Sequence, residues 1–184
     1  MLLGHDPPKA ETLVGGTLVD RKEPTTTGGH MTLEPGDEAP FFSRSNESGT
    51  TVTLDDYAGH GLIVFFYPRA FTPGCTAESC DFRDRRDDLY RSGYEILGVS
   101  PDPVDKLSEF RTEHDLSFPL LSDEDHSMAE AYGAWGEKKN YGKTYVGLIR
   151  STIVIGPDGL VEHAWYNVRA KGHAERVGRE LIKT

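Results

Sequence analysis

The chain has 184 residues, a formal net charge of -10 and 36% hydrophobic residues. That length suits one domain, no apolar run approaches the roughly 18 residues of a membrane-spanning helix, and the acidic balance lacks the basic footprint of a nucleic-acid binder. Two cysteines, Cys75 and Cys80, are too few for a disulfide scaffold.

Residues 1–30 contain no Phe, Tyr or Trp and are rich in Gly, Pro and Thr. Such a stretch cannot bury enough apolar surface to offset its ordering entropy, so a disordered leader is expected. The Gly-Gly-His-Met junction at 28–31 reads as an expression-tag remnant with Met31 as the natural start, a natural tail being the other reading. The stretch has neither the basic start nor the apolar core of a secretory signal. The expected compartment is therefore the reducing cytoplasm, where a close cysteine pair points to chemistry rather than architecture. Residues 31–184 form the expected domain.

Two short strands, Ala39–Ser43 and Thr51–Leu54, flank the Asn46–Gly49 turn region. Leu62-Ile63-Val64-Phe65-Phe66-Tyr67 is a continuous apolar run between Gly61 and Pro68, the pattern of a strand buried on both faces. Thr72-Pro73 then opens a helix reaching about Arg91, with a Thr cap and Pro at its first position. Acids early (Glu78, Asp81) and arginines late (Arg85, Arg86, Arg91) suit its dipole. Glu95–Ser100 reads as a second buried strand, Val104–Asp115 as an amphipathic helix and Phe118–Leu121 as a short strand. Ser127–Tyr132 is a short helix with Asp125 as its candidate cap. Residues Gly133–Gly147 read as a glycine-rich loop. Thr152–Ile155 and Leu160–Tyr166 flank Pro157-Asp158-Gly159, a hairpin signature. A last helix covers about Gly172–Lys183. Helices alternating with buried strands imply an α/β architecture, a mixed β-sheet flanked by helices.

The segment from Tyr67 to Cys80 carries the chemistry. Cys75 falls in the opening turn of a helix, where unpaired backbone N–H groups and the dipole favour thiolate over thiol. Lowering a thiol pKa from about 8.5 to about 6 requires roughly 3.4 kcal/mol. A helix end supplies about 0.3–2 kcal/mol, so a nearby cation is needed. Thr72 can cap the helix or reach the thiolate and a substrate oxygen. Pro68 and Pro73 fix φ at the two ends of the loop. On an intact helix, residues five apart differ by about 140° in direction and about 7.5 Å in rise. That separation exceeds disulfide reach, so bridging Cys75 and Cys80 requires the first turns to unwind.

Pro68-x-x-x-Thr72-x-x-Cys75 matches the peroxiredoxin active-site pattern. Thr72-Pro73-Gly74-Cys75-Thr76, followed by Cys80 and Phe82-Arg83-Asp84, resembles the peroxiredoxin Q group, also called bacterioferritin comigratory protein. Gly98-Val99-Ser100-Pro101-Asp102, Phe118 to Asp123, Tyr141-Gly142-Lys143 and Arg150-Ser151-Thr152 match in the same order, so the resemblance covers Met31–Thr184. It implies a thioredoxin-like fold and thiol-dependent reduction of hydrogen peroxide and organic hydroperoxides. It further implies Cys75 as peroxidatic nucleophile, Cys80 as resolving cysteine, and Arg150, Thr72 and Pro68 as active-site partners. Arg150 would supply the missing cation. No metal or organic cofactor is implied. The implied partner is thioredoxin or a similar dithiol, and the implied assembly a monomer or homodimer.

Two other readings carry less. A thiol–disulfide oxidoreductase without peroxide chemistry fits the fold but lacks Cys-x-x-Cys. A metal module lacks ligand spacing among the 7 histidines. Gly142-Lys143-Thr144 looks like the end of a phosphate loop, but Gly136 lies one residue too far away. Asn46-Glu47-Ser48 is a formal glycosylation sequon without other signs of secretion.

Overall fold

The apolar run after Gly61 becomes the centre of a five-stranded sheet. The computed structural model describes residues 26–27 and 30–182; the expected leader lies almost wholly outside them. At its described end, β1 (Thr26–Thr27) pairs antiparallel with β2 (His30–Met31). There follow β3 (Ser43–Ser45), β4 (Thr51–Thr53), a 3-10 turn at Leu54–Tyr57, β5 (Gly61–Phe66), α1 (Pro73–Arg91), β6 (Tyr94–Ser100) and α2 (Val104–Glu113). The second half holds β7 (Leu120–Ser122), α3 (Ser127–Ala131), β8 (Trp135–Asn140), β9 (Lys143–Leu148), β10 (Ser151–Ile155), β11 (Val161–Trp165) and α4 (His173–Leu181).

The sheet order is β11-β10-β5-β6-β7. The neighbours β5, β6 and β7 run parallel, while β10 lies antiparallel to both β5 and β11. This is the mixed sheet with a terminal hairpin that the sequence pattern implies. Alternate residues of β5 feed two cores. Ile63 and Phe65, with Tyr67 beyond the strand end, pack with residues of α1, α2 and α4, including Phe82, Leu89, Phe110 and Val177. Leu62, Val64 and Phe66 point the other way, toward Phe42, Met128, Tyr132 and Ile153. Each fully buried large apolar side chain contributes roughly 1.5–3 kcal/mol. Gly98 is needed where β6 passes under this layer. A Cβ there would come within 2.8 Å of Leu120 and 3.0 Å of Phe65.

Four local expectations change. The first strand is not Ala39–Ser43 but Ser43–Ser45, because its pairing partner is β4, with Ser43 opposite Thr53. The short strand expected at Phe118–Leu121 begins at Leu120, where pairing with Gly98 starts. Residues 133–147 are not a loop: β8 and β9 pair antiparallel from Trp135–Leu148 to Asn140–Lys143. Their two-residue turn places Tyr141 at φ 48 and Gly142 at φ 76, both positive, as a hairpin of type I′ requires. At α3, His126 rather than Asp125 occupies the N-cap position. Asp123 accepts the Met128 and Ala129 amides at 3.1 and 2.8 Å, and Asp125 accepts only that of Ser127.

Candidate active site

The β5 strand ends at Phe66, and the chain turns through Pro68 into a loop held from the neighbouring strand end. The Asp102 carboxylate accepts the Ala70 amide at 2.7 Å. Asp102 is itself fixed by the Ser100 hydroxyl at 2.9 Å and by Lys106 Nζ at 2.6 Å. Phe71 follows in the left-handed region, φ 65, which costs a non-glycine residue on the order of 1 kcal/mol. Its ring packs edge-on against Phe110 at 5.1 Å and meets His114 at 6.1 Å.

Thr72 then takes the extended N-cap conformation and Pro73 the first helical position. The Thr72 hydroxyl neither caps α1 nor reaches the thiol; it donates to the Arg69 carbonyl at 3.0 Å. Cys75 is the third helical residue and 1% exposed. Its amide is among the N-terminal donors that a helix leaves without an intrahelical partner.

Arg150 arrives from across the sheet. It lies between β9 and β10, and the register Ser151–Phe66 sets it opposite the exit of β5. Its Nη2 donates to Cys75 Sγ at 3.2 Å. Its Nη1 donates to Glu78 Oε2 in a very close ion pair. The Arg150 carbonyl accepts the Val168 amide at 3.0 Å, which fixes the segment behind it. Cys75 and Arg150 are thus brought together at the thiol, with Thr72 and Pro68 in the loop beside it. Cys80 lies further along the same unbroken helix. Both thiols are free, Cys75 buried and Cys80 partly so.

Sequence reasoning placed Glu78 among the acids that suit the dipole of α1. Instead its side chain is fully buried, and burial, opposed by Arg150, pushes its carboxyl up to about 7. Its second oxygen, Oε1, has no hydrogen-bond partner among the described residues. The available signal was spacing: a residue three after Cys75 shares its helix face. Asp102 was visible only as part of a motif. The aromatic residues separate. Tyr67 is buried in the core, where burial holds its hydroxyl protonated. Phe71 is 38% exposed at the loop. Trp135 belongs to the opposite face, stacked on His126 at 3.7 Å.

Residues 35–164 match the AhpC/TSA family model. The chain belongs to the AhpC/TSA family. Within it, peroxiredoxin Bcp of Escherichia coli is 44% identical over 145 residues, covering 79% of this chain and 93% of that protein. A putative peroxiredoxin of Mycobacterium tuberculosis is 50% identical over 149 residues, 81% of this chain and 95% of the relative. A Xanthomonas campestris peroxiredoxin Q structure superposes with TM-score 0.72 at 40% identity, over 76% of this chain and 89% of that one. A Xylella fastidiosa PrxQ mutant does so with TM-score 0.76 at 32% identity, over 81% and 95%. The fold is the thioredoxin-like one of peroxiredoxins, and the chain is a thiol peroxidase of the Bcp and peroxiredoxin Q kind. Its family implies a peroxide substrate and a thiol reductant. No described helix is long and apolar enough to cross a membrane.

Proposed function

We propose that Cys75 is the peroxidatic nucleophile and Cys80 the residue that resolves its oxidised form. The contact that carries this reading is Arg150 Nη2 on Cys75 Sγ at 3.2 Å. A permanently charged donor strengthens its hydrogen bond when the sulfur is a thiolate, and it is already aimed where charge develops during attack. The Cys75 thiolate attacks one peroxide oxygen and the O–O bond breaks. Sulfur keeps that oxygen as a sulfenic acid, and the other oxygen leaves with a proton as water or alcohol. Thr72 donates its own proton to Arg69, so its oxygen lone pairs are open to a peroxide O–H. Pro68 stiffens the strand exit without adding a competing N–H.

The Cys80 sulfur then attacks the sulfenic sulfur, the S–O bond breaks, the hydroxyl leaves as water with the proton given up by the Cys80 thiol, and a Cys75–Cys80 disulfide forms. On α1 as it stands the two Cα atoms are about 7.5 Å apart along the axis alone, so this step requires its first turns to unwind. Phe82, stacked on Phe65 at 4.7 Å, and Arg83, bonded to the His114 carbonyl at 2.7 Å, hold the helix beyond that point. A dithiol such as thioredoxin returns both thiols by exchange, in a cytoplasmic setting. Hydrogen peroxide and organic hydroperoxides are the substrates of this reading. Part-exposed Phe71 offers an apolar neighbour for the latter, and alkyl peroxide reduction is named for the Xanthomonas campestris bacterioferritin comigratory protein.

The test is intact mass and free-thiol count after one equivalent of hydrogen peroxide on reduced protein. Loss of two hydrogens and both thiols supports the cycle. In Cys80→Ser the product gains one oxygen instead, and in Cys75→Ser nothing changes. Turnover by Cys75→Ser would overturn the reading, as would oxidation only by disulfide substrates, which belongs to a thiol–disulfide oxidoreductase.

A further inference from the structure

The arginine that meets the reactive sulfur is shared. One nitrogen of Arg150 serves Cys75 and another serves Glu78, one helical turn further along α1. Both acids are buried, at 1% and 0% exposure. One cation therefore faces two groups that can each carry a negative charge, away from water. Two anions beside one cation leave a net buried charge, which is expensive. One anion beside it leaves none. Glu78 is also built incompletely for a permanent carboxylate: Oε2 is paired, while Oε1 is buried without a partner.

Among the described residues, no second cation acts on Glu78. Asp81 from α1 and Tyr67 from the exit of β5 are the other titratable groups that act on Glu78 or feel it, and both favour its neutral form or are neutral themselves. His173 of α4 lies within the field of Arg150 and is held neutral by burial, Arg176 and Arg150.

We propose that Glu78 takes up the proton that Cys75 gives up, the two groups sharing one proton across Arg150. The inference rests on the reading of Cys75 as the nucleophile. In the resting site the thiol and the Glu78 carboxylate face Arg150. In the reactive site the proton has moved, so that the thiolate faces Arg150 and Glu78 is a carboxylic acid. The site stays neutral in both, and no oxidant or reductant is involved. When thiolate attack breaks the O–O bond, the departing oxygen needs a proton, and Glu78 holds one inside the site. Glu78 acts here through Arg150 as a positioning and proton-holding residue. Coupled sites of this kind titrate as a pair rather than singly.

The experiment uses the full chain carrying Cys80→Ser, so that one thiol reports, with and without Glu78→Gln. Gln keeps an oxygen for Arg150 but cannot become an anion, so Arg150 is left to the sulfur alone. The far-ultraviolet thiolate absorbance of Cys75 is then expected to develop at lower pH by about one unit, since a neighbouring like charge is gone. The acid limb of the sulfenic-acid formation rate is expected to move with it. The parent should keep the infrared carbonyl band of a buried carboxylic acid across the pH range in which the thiolate develops, a band that is missing from Glu78→Gln. A thiolate that develops at unchanged or higher pH in Glu78→Gln overturns the proposal, as does thiolate formation in the parent without the carboxylic-acid band. The infrared measurement stands even if Glu78→Gln does not fold. If the Cys80→Ser parent is not oxidised by peroxide at all, it is the peroxidatic role of Cys75 that fails, and the titration still reports on the shared proton.

Discussion

Asp102 accepts the amide of Ala70 at 2.7 Å, and through that bond the end of β6 holds the loop that delivers Cys75. The carboxylate is 7% exposed and also receives Ser100 and Lys106. Its removal in Asp102→Ala strands a buried amide, a hydroxyl and a lysine charge together. A loss of about 2–4 kcal/mol in urea unfolding is expected. Because Phe71 is held at positive φ in the same loop, the peroxide rate should fall as well. An unchanged unfolding midpoint would show that the bond does not hold the loop.

Arg150→Lys keeps the charge and loses the fork. A lysine has one ammonium and cannot hold Glu78 with one nitrogen while presenting another to Cys75. The second-order rate of sulfenic-acid formation, followed by stopped flow, should drop about 100-fold to 1,000-fold. A loss below about threefold would mean that the charge alone is sufficient.

His173 gives a pH dependence with a definite sign. Its Nε2 lies 2.8 Å from the Thr152 hydroxyl, and burial first, then Arg176 and Arg150, hold it down to about 4 from an ordinary 6.5. The unfolded chain takes up this proton between those values and the folded chain does not. The stability contributed by His173 is therefore complete above about pH 6.5 and is lost as pH falls toward 4, by up to about 3 kcal/mol. Glu78 runs the other way. Raised to about 7 from 4.5, it contributes most below pH 4.5 and loses that contribution as pH rises through 7. Urea unfolding of His173→Gln between pH 4.5 and 7 should show a shallower acid loss than the parent. An identical slope would place the acid sensitivity elsewhere.

The β8–β9 turn makes a fourth expectation. Tyr141 is 98% exposed at φ 48, so its ring gains nothing from packing while its backbone is strained. Asn tolerates the left-handed region better. Tyr141→Asn should raise the thermal midpoint by a few degrees, corresponding to about 0.5–1 kcal/mol; a fall would contradict the turn.

The same hairpin shows where sequence reading stops. β5 was legible because six apolar residues in a row have few other fates. Glu137, Lys138, Lys139, Asn140, Lys143 and Thr144 carry no apolar alternation, because beyond the base these strands pack against neither core and all but Lys138 are exposed, so only the turn chemistry at Tyr141-Gly142 could have announced them. At the site, Cys75 and Arg150 are 75 positions apart, and no spacing rule joins them; a recognisable family pattern did. Glu78 escaped because α1 mixes acids and arginines around its surface, which hides one carboxylate that points inward. Thr72 fits its motif, yet the direction of a hydroxyl is set by the loop carbonyl nearest to it, here that of Arg69.

The two tryptophans divide between the faces of the sheet, and each is stacked on a histidine: Trp135 on His126 at 3.7 Å, Trp165 on His163 at 5.0 Å. Trp165 also meets His173 edge-on and packs against the core that contains Cys75 and Phe82. Trp135 looks into the other core. The molecule thus carries its own optical reporter and its own internal reference. Emission that changes when reduced protein meets peroxide should survive Trp135→Phe and disappear in Trp165→Phe, which lets oxidation be followed in real time without any label attached to either thiol.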